Sequence, residues 1–593
     1  MTTPTLSNEQ LGTATVLWDL ATLYPAPDSP EIRDDMVRCR QWAECLAAEA
    51  AGRIAALDAE AIGRVVERLE AIDTLLARLE AYGYLHFITQ TGDAAASALL
   101  QRVEELAAVV GRLTVFFRLE WNRLDAARAQ ALLAEAPLRR YCHYLTVMRR
   151  FAPHQLSDKE EELLQELKPV GRSAWNLLFE KLFGQLRFGA QGRTEEEVLS
   201  DLHHPDREIR RNGAAELTAG LRDNAHLLTH VFNTLAAEKM ITDRLRRYAS
   251  WDRAINLSNE LEDRTVATLV AAVVGRYDIV HRYYRLKRRL LGGGELFDYD
   301  RYAPIPGGEE TPVSWEQCRR IVLDAFAGFS PKMVAIGSRF FDERWIHAPI
   351  LAGKGGGAFA HPCVPEVHPY ILVNYTGKVR DVATVAHELG HGVHQFLAAE
   401  QGLYNSDTPL VLAETASVFA EFLVFKAQAG LLPPKARQAY LCQKLESIFA
   451  TVFRQVAMNR FEAAMHDARR QQGELSAEHL SALWLESQRP MFGGTVTLRD
   501  DYGLWWAYIG HFLATPGYVY AYAFGELLVL ALYARYQAEQ EGFVSRYLDL
   551  LRAGGNGSPY ELLRPFGIDL DDAGFWQGGL ALIDQMVSAA EAD

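Results

Sequence analysis

The sequence predicts a mostly α-helical protein that contains one small β-sheet. Apolar residues recur at three- and four-residue steps through most of the 593 residues, as at 62–79 and 99–113, and this spacing is typical of amphipathic helices. The alternation of apolar and polar residues that marks strands is rare. One segment, Y-I-L-V-N-Y at 370–375, is aromatic and β-branched and ends in a Thr-Gly turn. It is the best candidate for a strand.

The strand at 370–375 is expected to serve binding as well as folding. A free strand edge there would pair with an extended peptide by adding one strand to the sheet. The alternative is a buried strand with no role in ligand binding. The glycine-rich run at 353–357 lacks the residue order of a phosphate-binding loop, so it is interpreted as a mobile loop or as backbone that lies close to a ligand.

The length of the chain predicts more than one lobe, since single hydrophobic cores stop growing beyond about 250–300 residues. A helix is expected to begin at Ser29-Pro30, with serine as the cap and proline at the first helical position. The pattern is helical from there to about residue 187, and glycines at 189 and 192 suggest a boundary. We therefore predict a helical amino-terminal lobe over 1–190 and a second domain over 191–593.

Composition and charge restrict the classes of partner. The formal net charge of -15 argues against nucleic acid, because phosphate binding requires basic patches. The first 19 residues lack a basic segment followed by an apolar run, and the apolar run at 527–533 is too short to span a membrane. The cysteines are scattered without a C-x-x-C pair, which favours reduced thiols in a cytoplasmic protein. They are Cys39, Cys45, Cys142, Cys318, Cys363 and Cys442.

The segment at 387–391 has the pattern H-E-x-x-H. On a helix, residues four apart share one face, so His387 and His391 can direct imidazole nitrogens at one ion. Imidazole and carboxylate suit Zn²⁺, which in catalytic sites takes three protein ligands and keeps one position open. Glu388, between the histidines, is placed to act as general base on the attacking water. The alternative for the isolated pattern is a chance occurrence in a helix.

The residues around the motif predict a helix that approaches another backbone closely. Val382, Val385, Leu389, Val393 and Phe396 form an apolar stripe beside the histidine face. Gly390 and Gly392 lie inside this helix, where each costs about 1 kcal/mol relative to alanine. Two such glycines suggest close approach by another backbone or by a ligand.

The third metal ligand is expected on the following helix, predicted over 412–424. Glu414 is the best candidate, and Glu421 lies two turns further on the same face. Glu421 is placed to accept a hydrogen bond from a ligand histidine. The alternative for Glu421 is an ordinary charged residue near the surface.

These motifs resemble those of a known family. H-E-L-G-H-G-V-H followed by A-E-T-A-S is similar to the thimet oligopeptidase and oligoendopeptidase F family of zinc peptidases. W-D-L-A at 18–21 resembles the opening of oligoendopeptidase F chains, and Y-D-R-Y-A-P at 299–304 resembles a stretch that recurs in the same family. The resemblance implies a zincin-type catalytic core over 191–593, with helical lobes that flank a deep channel for short, flexible peptides. It also implies one zinc on His387, His391 and Glu414, with Glu388 as the base.

A second group of candidate residues lies near the carboxyl end. Aromatic residues are dense from 505 to 522, and by themselves they indicate an aromatic core stripe. The resemblance implies instead that His511, Tyr518 and Tyr522 face the zinc and donate to the oxyanion. Two departures from the thimet pattern are present: His511 lies two residues farther from Tyr518, and the third tyrosine position holds Gly525.

The function predicted from the sequence is hydrolysis of internal bonds in short unstructured peptides. One alternative is a helical zinc peptidase that trims carboxyl termini, which would need a basic pocket for the terminal carboxylate. Another is a peptide-binding protein with a structural zinc, which would need a fourth ligand, and His394 is the only nearby histidine to spare. The sequence predicts no oligomeric state.

Overall fold

The computed structural model describes residues 6–306, 312–539 and 542–592. The first five of the 19 amino-terminal residues that were searched for a targeting segment lie outside the described residues. The chain is mostly helical with one small sheet, as predicted. It divides into two compact units, each assembled from three segments. The first comprises Met1–Ala152, Glu310–Gln428 and Arg535–Ile568, and the second comprises Pro153–Glu309, Ala429–Ala534 and Asp569–Asp593. The predicted extent of a catalytic domain over 191–593 stays a prediction.

The first unit is built from helices and the sheet. The α-helices are Asn8–Leu11, Pro30–Ala50, Ala59–Ile88, Ala94–Arg123, Ala126–Leu133, Cys142–Arg150, Trp315–Ala327, Pro331–Asp342, Val379–Ala398, Leu403–Ser406, Leu410–Ala429, Phe543–Ala553 and Pro559–Leu563. The 3₁₀ turns are Leu20–Thr22, Ile54–Ala56, Ala136–Tyr141, Ala399–Gln401 and Arg564–Phe566. Proline occupies the first position of the helix Pro30–Ala50 as predicted, but the Ser29 side chain makes no capping hydrogen bond.

The core of the first unit joins its amino-terminal helices to the sheet. Leu46, Val66 and Trp121 belong to one buried apolar cluster together with Tyr370 and Leu372 of the sheet. Segments about 250 residues apart along the chain therefore share one core. Removal of this apolar surface from water stabilises the arrangement by roughly 25 cal/mol per Å² buried.

The sheet corrects one prediction. Its strands are β1 (Ile346–His347), β2 (Phe359–His361) and β3 (Tyr370–Leu372), in the order β1-β3-β2. β3 pairs parallel with β1 and antiparallel with β2, with Ala360 opposite Ile371. The predicted strand is present, but it is central and both of its edges are occupied. The prediction that a peptide adds a strand at 370–375 is therefore wrong. The outer strands of the sheet are β1 and β2.

The glycine-rich run at 353–357 is anchored to the amino-terminal helices. The N–H of Thr91 donates to Gly353 O and the N–H of Gly355 donates to Ile88 O, both at 2.7 Å. A Cβ on Gly355 would lie 2.3 Å from Ile88 Cδ1. The glycine thus permits close approach to a helix end. These two backbone hydrogen bonds fix the loop to the amino-terminal helices, which disagrees with its interpretation as a mobile loop.

The second unit is helical, and its core is rich in aromatic residues. Its α-helices are Asp158–Leu167, Arg172–Gln185, Glu195–Asp201, Arg207–Asp223, Ala225–Leu245, Arg253–Ser258, Asp263–Val274, Tyr277–Leu290, Pro434–Thr451, Phe453–Gln472, Ala477–Phe492, His511–Ala514, Ala573–Ala592 and most of Tyr520–Glu539. The 3₁₀ turns are Ala152–His154, Asp298–Asp300 and Asp500–Tyr508. Trp505 and Trp506 are buried in this core, as an aromatic core stripe predicts, whereas His511 is exposed.

Two further findings bear on the predictions from composition. Among the described residues, no helix has the length and apolar character needed to cross a membrane. All six cysteines are free thiols in the described structure, and four of them are buried. The buried four behave as small apolar residues.

Candidate functional site

The H-E-x-x-H motif lies on the helix Val379–Ala398, here called the motif helix. Val382, Val385, Leu389 and Val393 of its predicted stripe are buried. The motif helix packs against Leu410–Ala429, here called the glutamate helix. A Cβ on Gly390 would lie 2.5 Å from the carbonyl oxygen of Ala416. The absence of a side chain at Gly390 thus lets the two backbones meet, as its position in the helix predicts.

Three side chains converge where these helices meet. Glu414 Oε2 lies 3.3 Å from His387 Nε2 and 3.6 Å from His391 Nε2. One donor atom from each residue lies within 4.8 Å of the others. Bonds of about 2.0 Å in a tetrahedral zinc site give donor separations of about 3.3 Å. Two imidazole nitrogens and one carboxylate oxygen therefore have the type and spacing that can hold one metal ion.

Two residues orient these candidate ligands. Glu421 Oε2 lies 3.4 Å from His387 Nδ1, as its predicted position two turns beyond Glu414 requires. Ser417 donates a hydrogen bond of 2.8 Å to Glu414 Oε2. Partners of this kind fix the tautomer and ring orientation of a ligand histidine and the rotamer of a ligand carboxylate.

The electrostatics of the three side chains are strongly coupled. Burial is the largest single influence and opposes ionisation of both Glu414 and His387, but their mutual hydrogen bond and the other hydrogen bonds and charges around them together outweigh it. The pKa of Glu414 falls to about 2 and that of His387, which also contacts Glu421, rises to about 10. Burial lowers the pKa of His391 to about 4. A concentration of perturbed groups in one cavity is typical of functional sites.

Glu388 is buried beside the three candidate ligands. Burial raises its pKa to about 7, while His387 and a hydrogen bond from the Ala360 backbone oppose this rise. The carbonyl of Ala360 accepts a hydrogen bond of 3.2 Å from Gln395 Nε2. Both backbone groups of Ala360 are thus bonded to side chains of the motif helix. Ala360 lines the same cavity of about 660 Å³ as Glu388 and the ligand group.

His394 does not belong to the ligand group. It is buried and lines the cavity, and burial lowers its pKa to about 3. Within the described ranges, the group of possible metal donors contains His387, His391 and Glu414 and no fourth His, Cys, Asp or Glu. The neutral imidazole of His394 therefore lines the cavity one helical turn beyond His391 and does not take part in the ligand group.

The second group of predicted residues lies in the second unit and forms a cluster of its own. Tyr522 Oη lies 3.4 Å from His511 Nε2, and the rings of Tyr518 and Tyr522 meet edge to face at 4.9 Å. Partial desolvation by neighbouring groups, and then the charge of Arg454, lower the pKa of His511, although its side chain keeps contact with solvent. The spacing of four between the tyrosines places them side by side, and their role toward a metal stays a prediction.

A buried carboxyl fixes the loop in front of these tyrosines. Glu462 is completely buried and accepts a hydrogen bond of 2.7 Å from the N–H of Gly517. Gly517 has φ +83°, and a Cβ there would lie 2.8 Å from Ile255 Cγ2. Only glycine fits this position. Its hydrogen bond to Glu462 fixes the backbone of the turn that precedes Tyr518.

Several of these residues were not predicted. Ser417 stands three residues after Glu414 inside A-E-T-A-S, and that helical spacing is a signal from which its hydrogen bond could have been inferred. Ala360 follows the glycine-rich run without strand periodicity. Glu462 is one of many glutamates on helices, and nothing near it in the sequence indicates its contact with Gly517.

Two regions of the chain match known protein families. Residues 332–582 match the family model described as Peptidase family M3, and residues 120–188 match the one described as Oligopeptidase F. Together the two matches span more than half of the chain. The first includes the motif helix, the glutamate helix and the cluster of His511, Tyr518 and Tyr522.

The chain is also similar to curated proteins over most of its length. It is 26% identical to oligopeptidase PepF of Bacillus subtilis over 509 residues, which cover 84% of this chain and 75% of that protein. It is 23% identical to an oligoendopeptidase F homologue of Lactococcus lactis subsp. lactis over 598 residues, which cover 98% and 97%.

Solved structures share the fold. A protein from Chlamydophila abortus superposes with a TM-score of 0.87 at 22% identity, covering 97% of this chain and 98% of its own. Oligoendopeptidase-F from Enterococcus faecium superposes with a TM-score of 0.72 at 21% identity, covering 95% and 98%. The family matches, the relatives and the shared helical fold agree, and the chain belongs to peptidase family M3, in its oligopeptidase F branch.

Proposed function

We propose that this protein is a zinc-dependent oligoendopeptidase that hydrolyses internal bonds of short, unstructured peptides. One observation carries the proposal: two imidazoles and a carboxylate converge within 4.8 Å of one another, with a buried glutamate in the same cavity. This is the donor set of catalytic zinc sites, with a carboxylate beside it for proton transfer.

His387, His391 and Glu414 would hold the ion. The donor types suit Zn²⁺, and three protein ligands leave one coordination position for water or substrate. A bound zinc would polarise the scissile carbonyl and lower the pKa of water in the site. Glu421 and Ser417 keep the His387 ring and the Glu414 carboxylate in place through the contacts described above.

Glu388 is the proposed general base. It takes the proton of the attacking water on a carboxylate oxygen and delivers it to the leaving amine, so that each turnover restores its starting state. The hydrogen bond from the Ala360 backbone holds this carboxylate at the wall of the cavity. The amide of glutamine has a similar shape but cannot carry the proton.

His511, Tyr518 and Tyr522 are the proposed donors to the oxyanion. The basis is the resemblance to the family together with their clustering, since the hydroxyls and the imidazole are neutral donors of the kind that stabilises developing negative charge. Glu462 supports this role, because it holds Gly517 at the start of the turn that carries Tyr518.

The proposed substrates are oligopeptides in extended conformation. The relatives are named oligopeptidases and oligoendopeptidases, and the edge of β2 lines the candidate cavity. A peptide that lies extended in this cavity needs several consecutive residues free of other structure, which native proteins offer mainly in loops and termini. The flanking channel and the cytoplasmic location implied by the resemblance and the composition remain part of this proposal.

A quenched peptide library with blocked ends, read by mass spectrometry with and without a chelator, tests the function. We expect cleavage at internal bonds of peptides that are acetylated at the amino end and amidated at the carboxyl end. The chelator should abolish this cleavage, and added zinc should restore it. Release of single residues or dipeptides only from free carboxyl ends would assign the protein to the trimming class. Binding without any cut in either form would assign it to the peptide-binding class.

A further inference from the structure

Two arginines of the second unit line a small cavity that shares no residue with the candidate metal site or with the cluster of His511, Tyr518 and Tyr522. Arg301 donates from Nε to the backbone oxygen of Asp298 at 2.8 Å and from Nη1 to Tyr502 Oη at 3.2 Å. Arg454 donates from Nη1 to Tyr302 Oη at 2.8 Å. Both line a cavity of about 20 Å³. Every acceptor of these hydrogen bonds is a neutral oxygen.

The carboxylates around this cavity are already paired with other cations. Glu446, which also lines it, lies 2.5 Å from the fully buried ammonium of Lys287. Asp298 binds Arg499 at 2.7 Å, and Asp300 binds two further arginines. Among the described residues, no carboxylate oxygen lies within 4.0 Å of the guanidinium of Arg301 or Arg454. Two positive charges are therefore left without an anionic partner.

Such an imbalance is costly in this environment. Arg301 is 4% exposed, and a buried charge without a counter-charge is strongly destabilising. Aromatic faces offset part of this cost, since the Arg301 Cζ lies 4.8 Å from the ring centroid of Tyr502 and 5.1 Å from that of Tyr302. Burial alone would raise the pKa of Tyr302, but Arg454 and Arg301 lower it overall. The cavity thus favours negative charge.

The size of the cavity selects the ligand. A water molecule needs at least about 10–15 Å³ of such space, so about 20 Å³ holds one particle of that size. The guanidinium group is weakly hydrated and presents several N–H donors, which suits a desolvated anion. We propose that this cavity is a binding site for one monovalent anion of halide size, held beside Arg301 and Arg454.

Anomalous scattering from crystals of the unaltered protein soaked in sodium bromide tests the site without any substitution. We expect a bromide peak in the cavity lined by Arg301, Tyr302 and Arg454. A bromide data set with no peak there would overturn the proposal.

Thermal unfolding in solution provides the second test. At matched ionic strength, we expect a higher midpoint in sodium chloride than in sodium gluconate, saturating with chloride concentration as binding to the native state requires. Arg454→Gln should lose this difference, whereas the exposed Arg211→Gln should keep it. An unchanged chloride dependence in Arg454→Gln would overturn the proposal. So would stabilisation by formate without stabilisation by chloride, since that result would assign the cavity to a carboxylate.

Discussion

Glu421 Oε2 lies 3.4 Å from Nδ1 of His387, while Glu414 Oε2 lies 3.3 Å from Nε2 of the same ring. Both nitrogens of this imidazole are therefore engaged by the glutamate helix. We predict that Glu421→Ala weakens zinc binding by roughly 10–100-fold and that Glu414→Ala, which removes a donor, weakens it more. Competition with a chromophoric chelator measures both. Glu60→Ala, an exposed residue of the same unit, should bind zinc like the parent. Full zinc affinity in Glu414→Ala would place the third ligand elsewhere.

Glu388→Gln tests proton transfer separately from metal binding. Because the amide preserves shape but cannot accept the proton, we predict an unchanged fold and zinc content with kcat lower by roughly 10²–10⁴-fold. Circular dichroism, metal analysis and turnover of a quenched peptide measure the three quantities. Activity within about tenfold of the parent, equivalent to about 1.4 kcal/mol in the barrier, would remove Glu388 from the role of base.

Gly390→Ala tests the contact between the motif helix and the glutamate helix. The new Cβ would lie 2.5 Å from Ala416 O, so we predict a loss of about 1–3 kcal/mol in the free energy of unfolding and weaker zinc binding, since the ligands on the two helices move apart. Gly111→Ala is the matched control, because nothing lies within 4 Å of a Cβ there. This control should gain up to about 1 kcal/mol from helix propensity. Equal effects of the two substitutions would contradict the close approach.

Substitutions in the cluster of the second unit test the oxyanion donors. We predict that Tyr518→Phe or Tyr522→Phe lowers kcat by up to roughly 10²–10³-fold with a smaller change in KM, because a donor to the oxyanion acts in the transition state. His511→Gln is tested in the same assay. Tyr84→Phe, an exposed tyrosine of the first unit, serves as the control. If all three variants of the cluster keep the parental kcat, the oxyanion donors lie elsewhere.

Glu462 predicts a dependence of stability on pH. Burial raises the pKa of its carboxyl to about 8, against a hydrogen bond from Gly517 and the charge of Lys239. The folded protein thus retains a proton that the unfolded chain loses above about 4.5, so this group makes stability fall as pH rises between about 4.5 and 8.

Glu462→Gln keeps an acceptor for the Gly517 N–H and cannot ionise. We predict that its stability relative to the parent increases from pH 6 to pH 8, as measured by chemical denaturation at both values. Glu462→Leu removes the acceptor as well and should be less stable than Glu462→Gln throughout. A stability difference between parent and Glu462→Gln that does not change with pH would contradict the buried, protonated carboxyl.

The parts of the site that were predicted depend on local geometry. His387 and His391 are four residues apart, and Glu414 and Glu421 are seven apart, so the period of the helix alone brings each pair to one face. The stripe of valines and leucines predicted which face of the motif helix is buried. Roles for His511, Tyr518 and Tyr522 came from the resemblance and stay predictions.

The parts that were not predicted depend on contacts between distant segments. The position of a strand in a sheet is decided by its partners, and β1 is only two residues long, too short for a periodicity. The sequence around β3 was therefore compatible with either an edge strand or a central strand of the sheet. Glu462 meets Gly517 across 55 residues, and the first unit unites three segments of the chain. No local pattern predicts such pairings.

The three-segment construction of the first unit has a consequence for synthesis on the ribosome. The candidate metal ligands leave the exit tunnel long before the helix Phe543–Ala553, yet that helix packs on the motif helix. Tyr547 of that helix donates to the Thr415 carbonyl at 3.0 Å, beside Glu414. Until the ribosome has translated past residue 553, the apolar flank of the nascent motif helix lacks its cover. We therefore expect the proposed metal centre to form near the end of translation. Nascent chains arrested before residue 543 should need chaperone protection and retain zinc poorly.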